Sequence, residues 1–176
     1  CIARNARTAA NDAMFGWHSS TGPDVDKRDG HVFVNNLLTG DSNYRRPLLF
    51  VWQPDSLCQQ LPSPLLKQLD YNVYVRSSEK TPSPLIIWSP APTERCQVEF
   101  ASLNDLRKLY PQFAANDRSY DGYAGPLFKN VELGNYQILP GSPGANSGML
   151  LPADVRKVLG QSRKDSQYVG AYQPIQ

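Results

Sequence analysis

Short apolar runs, each cut off by glycine, proline or asparagine within a few residues, predict a succession of short strands rather than helices. His31 to Leu38 reads as a strand with the pair Asn35 and Asn36 at a bend, and Gly40 to Tyr44 turns the chain into the nearly continuous apolar run Arg46 to Trp52. A run of that kind suits a strand buried on both faces. Asp70 to Arg76 alternates, with Tyr71, Val73 and Val75 on one side and Asn72 and Tyr74 on the other. Leu85 to Trp88 is bracketed by Pro82, Pro84, Pro90 and Pro92, a setting that suits an edge strand. Leu127 and Phe128, a turn at Gly134 and Asn135, and the alternation Tyr136 to Pro140 predict two short strands joined by a tight turn.

Helical signals are few. Ser102 to Tyr110 is a helix by its cap: Ser102 precedes the apolar stripe Leu103, Leu106 and Leu109 or Tyr110, Asp105 stands at the capping-box position, and Pro111 ends it. Leu151 to Gly160 reads as a second short helix with Gly160 at its C-terminal cap, and Leu65 to Leu69 as a single helical turn within a proline-rich surface excursion over 53–69. Asn5 to Phe15 fits two templates, a helix through Ala6, Ala9, Ala10, Ala13 and Met14, or a tight turn and strand.

Several of these segments, taken in order, carry a resemblance. Asp70-Tyr71-Asn72-Val73-Tyr74, Ser102-Leu103, Gly125-Pro126-Leu127-Phe128, Asn135-Tyr136-Gln137-Ile138, Pro140-Gly141-Ser142-Pro143 and Val169-Gly170-Ala171-Tyr172 resemble the C-terminal end of the right-handed parallel β-helix repeat proteins, over residues 30–174. The family pattern differs at Gly125, where Asp is usual, at Ala145-Asn146-Ser147-Gly148 in place of A-I-D-x-G, and at Gln173 in place of the closing acid. The resemblance implies a mainly β chain of right-handed parallel β-helix C-terminal coils with one or two flanking helices. It implies a single domain, 1–176, with 1–52 as the last full coils and 53–176 as irregular coils and cap. In the family, runs such as Val34-Asn35-Asn36-Leu37 are rungs whose asparagines stack on those of neighbouring coils.

The family includes secreted glycoside hydrolases and polysaccharide lyases. The implied function is glycosidic-bond cleavage in a complex polysaccharide, with hydrolysis ahead of elimination; the alternative is a non-catalytic carbohydrate-binding or surface-adhesion module. A β-helix needs many stacked coils, so the resemblance also implies a longer precursor, with its N-terminal fragment as a partner beside the poly- or oligosaccharide. Secreted, periplasmic or cell-surface localisation follows from the same source.

Composition narrows the picture. The 176 residues carry a formal net charge of +2 with mixed signs, which leaves no electrostatic footprint for nucleic acid. No apolar run approaches the length of a membrane span. Of Cys1, Cys58 and Cys96, one is left over from any pairing, and in a secreted protein Cys58 with Cys96, both in proline-rich loops, is the bridge favoured here. Cys1 reads as a boundary within a longer chain.

Chemistry is confined to two clusters. Asp24, Asp26 and Asp29, with His31, His18, Lys27 and Arg28, offer both carboxyl groups for hydrolysis and a base and cation for elimination. The same run also reads as a solvated loop of scattered ion pairs. Tyr44, Arg45 and Arg46 could clamp a sugar carboxylate, and Trp17, beside Gly16 and His18, is the preferred stacking platform among Trp17, Trp52 and Trp88. No metal-ligand spacing, phosphate loop or nucleophile elbow is present, so no cofactor is expected, apart from Ca²⁺ if the reaction is elimination.

Overall fold

The computed structural model describes residues 2–3, 29–158 and 169–170. The described chain is mainly β, with eleven short strands and three short helices. Strand β1 is Ile2–Ala3, β2 His31–Val34, β3 Leu37–Gly40, β4 Leu49–Trp52, β5 Leu66–Asp70, β6 Val73–Arg76, β7 Ile86–Trp88, β8 Val98–Phe100, β9 Arg118–Tyr120, β10 Phe128–Asn130 and β11 Asn135–Ile138. The helices are α1 Asp55–Cys58, α2 Leu103–Leu109 and α3 Ala153–Val158.

The strands form four sheets, in the orders β1-β4-β7-β8, β2-β5, β3-β6-β9 and β10-β11. Between β2 and β7 the chain passes twice through three sheets in one order: β2, β3 and β4, then β5, β6 and β7. Each strand of the second pass lies parallel to its counterpart in the first. The β7-β8 and β10-β11 pairs are antiparallel. The expected single strand over 70–76 is therefore two, β5 and β6, because the chain bends at Tyr71 and Asn72, with Tyr71 held at φ 56°.

The strand β6 is buried on both faces. Tyr74 enters the main core with Leu49, Val51, Leu66, Leu69, Ile86, Trp88, Phe100 and Leu106. On the opposite face Val73 and Val75 meet Ile138 and Val169, with Leu37, Tyr120, Leu127 and Phe128 around them. The β10-β11 hairpin and the returning residue Val169 thus cover a second apolar layer. Arg76 ends β6 with its guanidinium donating to the carbonyls of Ser83 and Pro84 at 3.2 and 2.6 Å.

Three expectations change. Leu66 to Leu69 is strand, with Leu65 just before it, and not a helical turn, because Leu65, Leu66 and Leu69 are all needed in the core and β2 supplies the pairing partner. Leu85 to Trp88 is no edge: β7 lies between β4 and β8, and its flanking prolines fall outside the strand, so no ladder donor is lost. The run Arg46 to Trp52 is buried on one face of β4, at Leu49 and Val51, while Phe50 and Trp52 are only partly covered.

The helix α2 forms as its cap predicts. The Ser102 hydroxyl accepts from the Asp105 backbone N–H at 3.3 Å and donates to the Asp105 carboxylate at 2.7 Å, while Leu103 and Leu106 are buried. Leu109 faces solvent and Tyr110 takes its place, packing on Trp88 and Phe100 at ring separations of 5.4 and 6.3 Å.

Cys58 and Cys96 form a disulfide with Cα atoms 6.1 Å apart, joining the segment after β4 to that after β7 across 38 residues. A loop of that length stabilises the fold by about 4 kcal/mol in the chain-entropy account. Guanidinium unfolding of the Cys58→Ser, Cys96→Ser double variant is expected to show a loss of about 3 to 4 kcal/mol with the m-value rising as the unfolded chain expands. A loss below about 1 kcal/mol would show that the unfolded chain gains little freedom when the bridge is removed.

Candidate functional site

Three bends stack at one corner of the molecule, and the site is built on them. The bends are at Asn35 and Asn36 between β2 and β3, at Tyr71 and Asn72 between β5 and β6, and over 114–117 before β9. The Asn36 side chain donates to Asn72 Oδ1 at 2.9 Å, and Asn72 Nδ2 in turn donates to the Asp117 carboxylate at 3.3 Å. Asn72 lies 36 residues after Asn36, and Asp117 lies 45 after Asn72. Backbone bonds follow the same column, from Val73 N–H to Asn36 O and from Arg118 N–H to Asn72 O.

Positive φ recurs at the bends, 58° at Asn35 and 56° at Tyr71. Asparagine adopts this left-handed region readily, but tyrosine is strained there by roughly 1 to 2 kcal/mol. Such strain collects at sites where a side chain must be held in a given place.

Asp117 is 4% exposed and accepts from the Asn72 backbone N–H at 2.8 Å. Burial raises its pKa from an ordinary 3.8 to about 6; the bonds from Asn72 oppose the rise and the charge of Asp70 adds to it. The buried Tyr74 hydroxyl stands beside this carboxyl without a well-formed hydrogen bond. Burial first, and then the Asp117 charge, hold the Tyr74 phenol well above its usual range. Asp70 is engaged as well: its carboxylate accepts from the Asn116 backbone and side chain at 2.6 and 2.8 Å.

Residues 141–149 lie against this corner. Asn35 and Met149 exchange two bonds of 2.8 Å, Asn35 Nδ2 to Met149 O and Met149 N–H to Asn35 Oδ1. Ser147 donates its hydroxyl to Pro143 O at 2.8 Å and accepts from Arg118 Nη1 at 3.4 Å. Three depressions touch Arg118, two of them bordered by this segment. One of about 320 Å³ is lined by Tyr71, Asn116, Asp117, Asn146 and Ser147. A second of about 270 Å³ is lined by Tyr120, Tyr123, Ser142 and Asn146. The third, about 360 Å³, is lined by Asn104, Arg107, Asp117, Ser119 and Tyr120. The surface therefore offers phenol rings, amides, hydroxyls and one exposed guanidinium.

The residues singled out from sequence lie elsewhere. Trp17, His18, Asp24, Asp26 and Arg28 fall outside the described residues, as do Cys1, the 5–15 segment and Gly160. Asp29 and His31 are exposed at the start of β2. Tyr44, Arg45 and Arg46 sit in the exposed loop after β3, where the Tyr44 hydroxyl donates to Pro47 O at 3.4 Å. None of these five lines the depressions around Arg118. Trp88 is fully buried core. Arg118, Tyr71, Asn116 and Asn146 were not singled out as ligand-facing residues.

Among the described residues no group of three or more His, Cys, Asp or Glu side chains is placed to hold a metal ion. No helix among them is long and apolar enough to cross a membrane. No family model, curated protein or solved structure matches the chain.

The Asp117 carboxyl has its pKa raised on folding, so its contribution to stability is complete below about pH 4 and is lost as the pH rises through about 6. The span is about 3 kcal/mol. Stability measured by denaturation is expected to fall between pH 4 and 7. The fall should vanish in Asp117→Asn, which keeps an acceptor for the Asn72 N–H and extends the amide column. An unchanged pH slope in the variant would assign the effect to another group.

Proposed function

We propose that the chain is a right-handed parallel β-helix belonging to a secreted or cell-surface carbohydrate-active protein, and that the face around Arg118 binds a complex polysaccharide. The repeated strand order, with parallel partners and a side-chain column at the bends, supports the fold. Crossovers between parallel strands are right-handed in nearly all proteins, which supports the hand. The Cys58–Cys96 disulfide supports an oxidising compartment.

The observation that carries the binding assignment is the row of depressions meeting at Arg118. Tyrosine faces suit the apolar faces of sugar rings, and amides, hydroxyls and a guanidinium suit their hydroxyl groups. An extended, shallow, polar surface fits a chain of sugars better than a small compact ligand, which is usually enclosed by apolar walls.

Hydrolysis of a glycosidic bond needs two carboxyl groups facing one bond. The carboxyl lining this face, Asp117, is turned inward to Asn72. We therefore assign the face to substrate binding and cleavage, by hydrolysis, to the acidic run Asp24, Asp26 and Asp29 with His31. Among the described residues no acid pair lines the face, which equally favours a second reading, a non-catalytic adhesion module.

Affinity electrophoresis through gels containing different polysaccharides tests the proposal. At least one polysaccharide is expected to retard the protein. Tyr71→Asn should weaken that retardation while holding or raising stability, by up to about 1 kcal/mol, because the strained φ is relieved. No retardation by any polysaccharide would overturn the binding assignment. Release of reducing ends, lost on changing Asp24, Asp26 or Asp29 to Asn, separates the enzyme from the adhesion module.

A further inference from the structure

We propose that the depression of about 270 Å³ beside Arg118 is a subsite for an acidic saccharide unit, bearing a carboxylate or a sulfate ester, with Arg118 pairing the anion and the Ser142 hydroxyl donating to it. The proposal rests on the reading of this face as a saccharide surface.

Arg118 differs from its neighbours. Arg107 spends its guanidinium on the carbonyls of Ala114 and Asp117 and on Asn104, and Arg76 spends its own on Ser83 and Pro84. The side-chain bond Arg118 makes is the 3.4 Å contact to Ser147, and among the described residues no carboxylate pairs with it. A guanidinium carries five donors in a fixed fork that matches a carboxylate or sulfate.

Ser142 supplies the second observation. It is 7% exposed, lines the same depression, and its hydroxyl has no hydrogen-bond partner among the described residues. A buried hydroxyl left unpaired is costly, and one at the wall of a depression is available to pair with a bound anion. Among the described residues no carboxylate lines this depression: Asp117 borders the other two but not this one. The remaining wall is neutral, with Tyr120, Tyr123 and Asn146 placed to contact the ring that carries the anion.

Calorimetric titration tests the subsite, using an oligogalacturonate, its methyl ester, a sulfated neutral oligosaccharide and an unmodified neutral one. The acidic oligomers are expected to bind in a salt-sensitive way, and the ester to lose most of that affinity. Which acidic oligomer binds identifies carboxylate or sulfate as the anion. Arg118→Gln should weaken acidic binding roughly ten- to hundredfold and neutral binding by no more than a few-fold, the loss of a hydrogen bond to a sugar hydroxyl, with Arg118→Lys between wild type and Gln for the acidic oligomers. Ser142→Ala should weaken acidic binding several-fold. Arg118 is exposed, so an unchanged melting temperature in its variants is the control for folding.

If acid and ester bind equally, or if Arg118→Gln leaves acidic binding intact, the subsite is overturned while the saccharide reading stands. If no saccharide binds at all, both fall.

Discussion

Asn72 is fully buried and hydrogen-bonded on every side, and the packing of one pass of strands on the next depends on it. A chain that bends sharply between two short strands leaves backbone groups inside the protein that neither sheet can satisfy. Asn72 answers several at once. Its amide donates to Phe33 O and Asp70 O at 3.0 and 3.2 Å, and its oxygen accepts the Asn36 backbone N–H at 3.0 Å. Asn36 below and Asp117 above complete the column. Because each bond has one acceptable partner height, the column also pins the register of β3, β6 and β9, which short parallel strands alone would specify weakly.

The functional surface follows from the same column. Asp117 occupies the third position and places Arg118 at the start of β9, on the rim of the corner, while Asp117 itself stays inside. Asn35, one residue before the first member, ties down Met149, so the segment Gly141 to Met149 is drawn across the corner and the depressions form between it and the bends. The strained Tyr71 presents its ring there because its neighbour Asn72 is committed to the interior. Binding chemistry on the outside is thus positioned by hydrogen bonding on the inside.

Much of the local structure was legible in the sequence, and the links between segments were not. The capping residues Ser102 and Asp105, the Asn35–Asn36 bend and the hairpin around Gly134 are signals within a few residues of the feature they specify. The recurrence that brings Asn36, Asn72 and Asp117 together spans 36 and then 45 residues, and the three share only a small polar side chain at a bend. Unequal spacing hides it from any search for a fixed period. Arg118 reads as an ordinary surface arginine until Ser147 and Ser142, far along the chain, are seen beside it. The departure Asn146-Ser147-Gly148 from the resembled pattern was visible, but its place in a depression was not.

The most direct measurement of the account is the unfolding free energy of Asn72→Ala, by denaturant titration at neutral pH. Removing the side chain leaves the Asn36 N–H and the partly buried Phe33 and Asp70 carbonyls without this partner, and the buried Asp117 carboxyl without its side-chain donor. The predicted loss is about 3 to 5 kcal/mol, the cost of one buried and several partly buried polar groups left unpaired. A loss below about 1 kcal/mol, with the transition still cooperative, would contradict the claim that this column holds the successive passes of strands together.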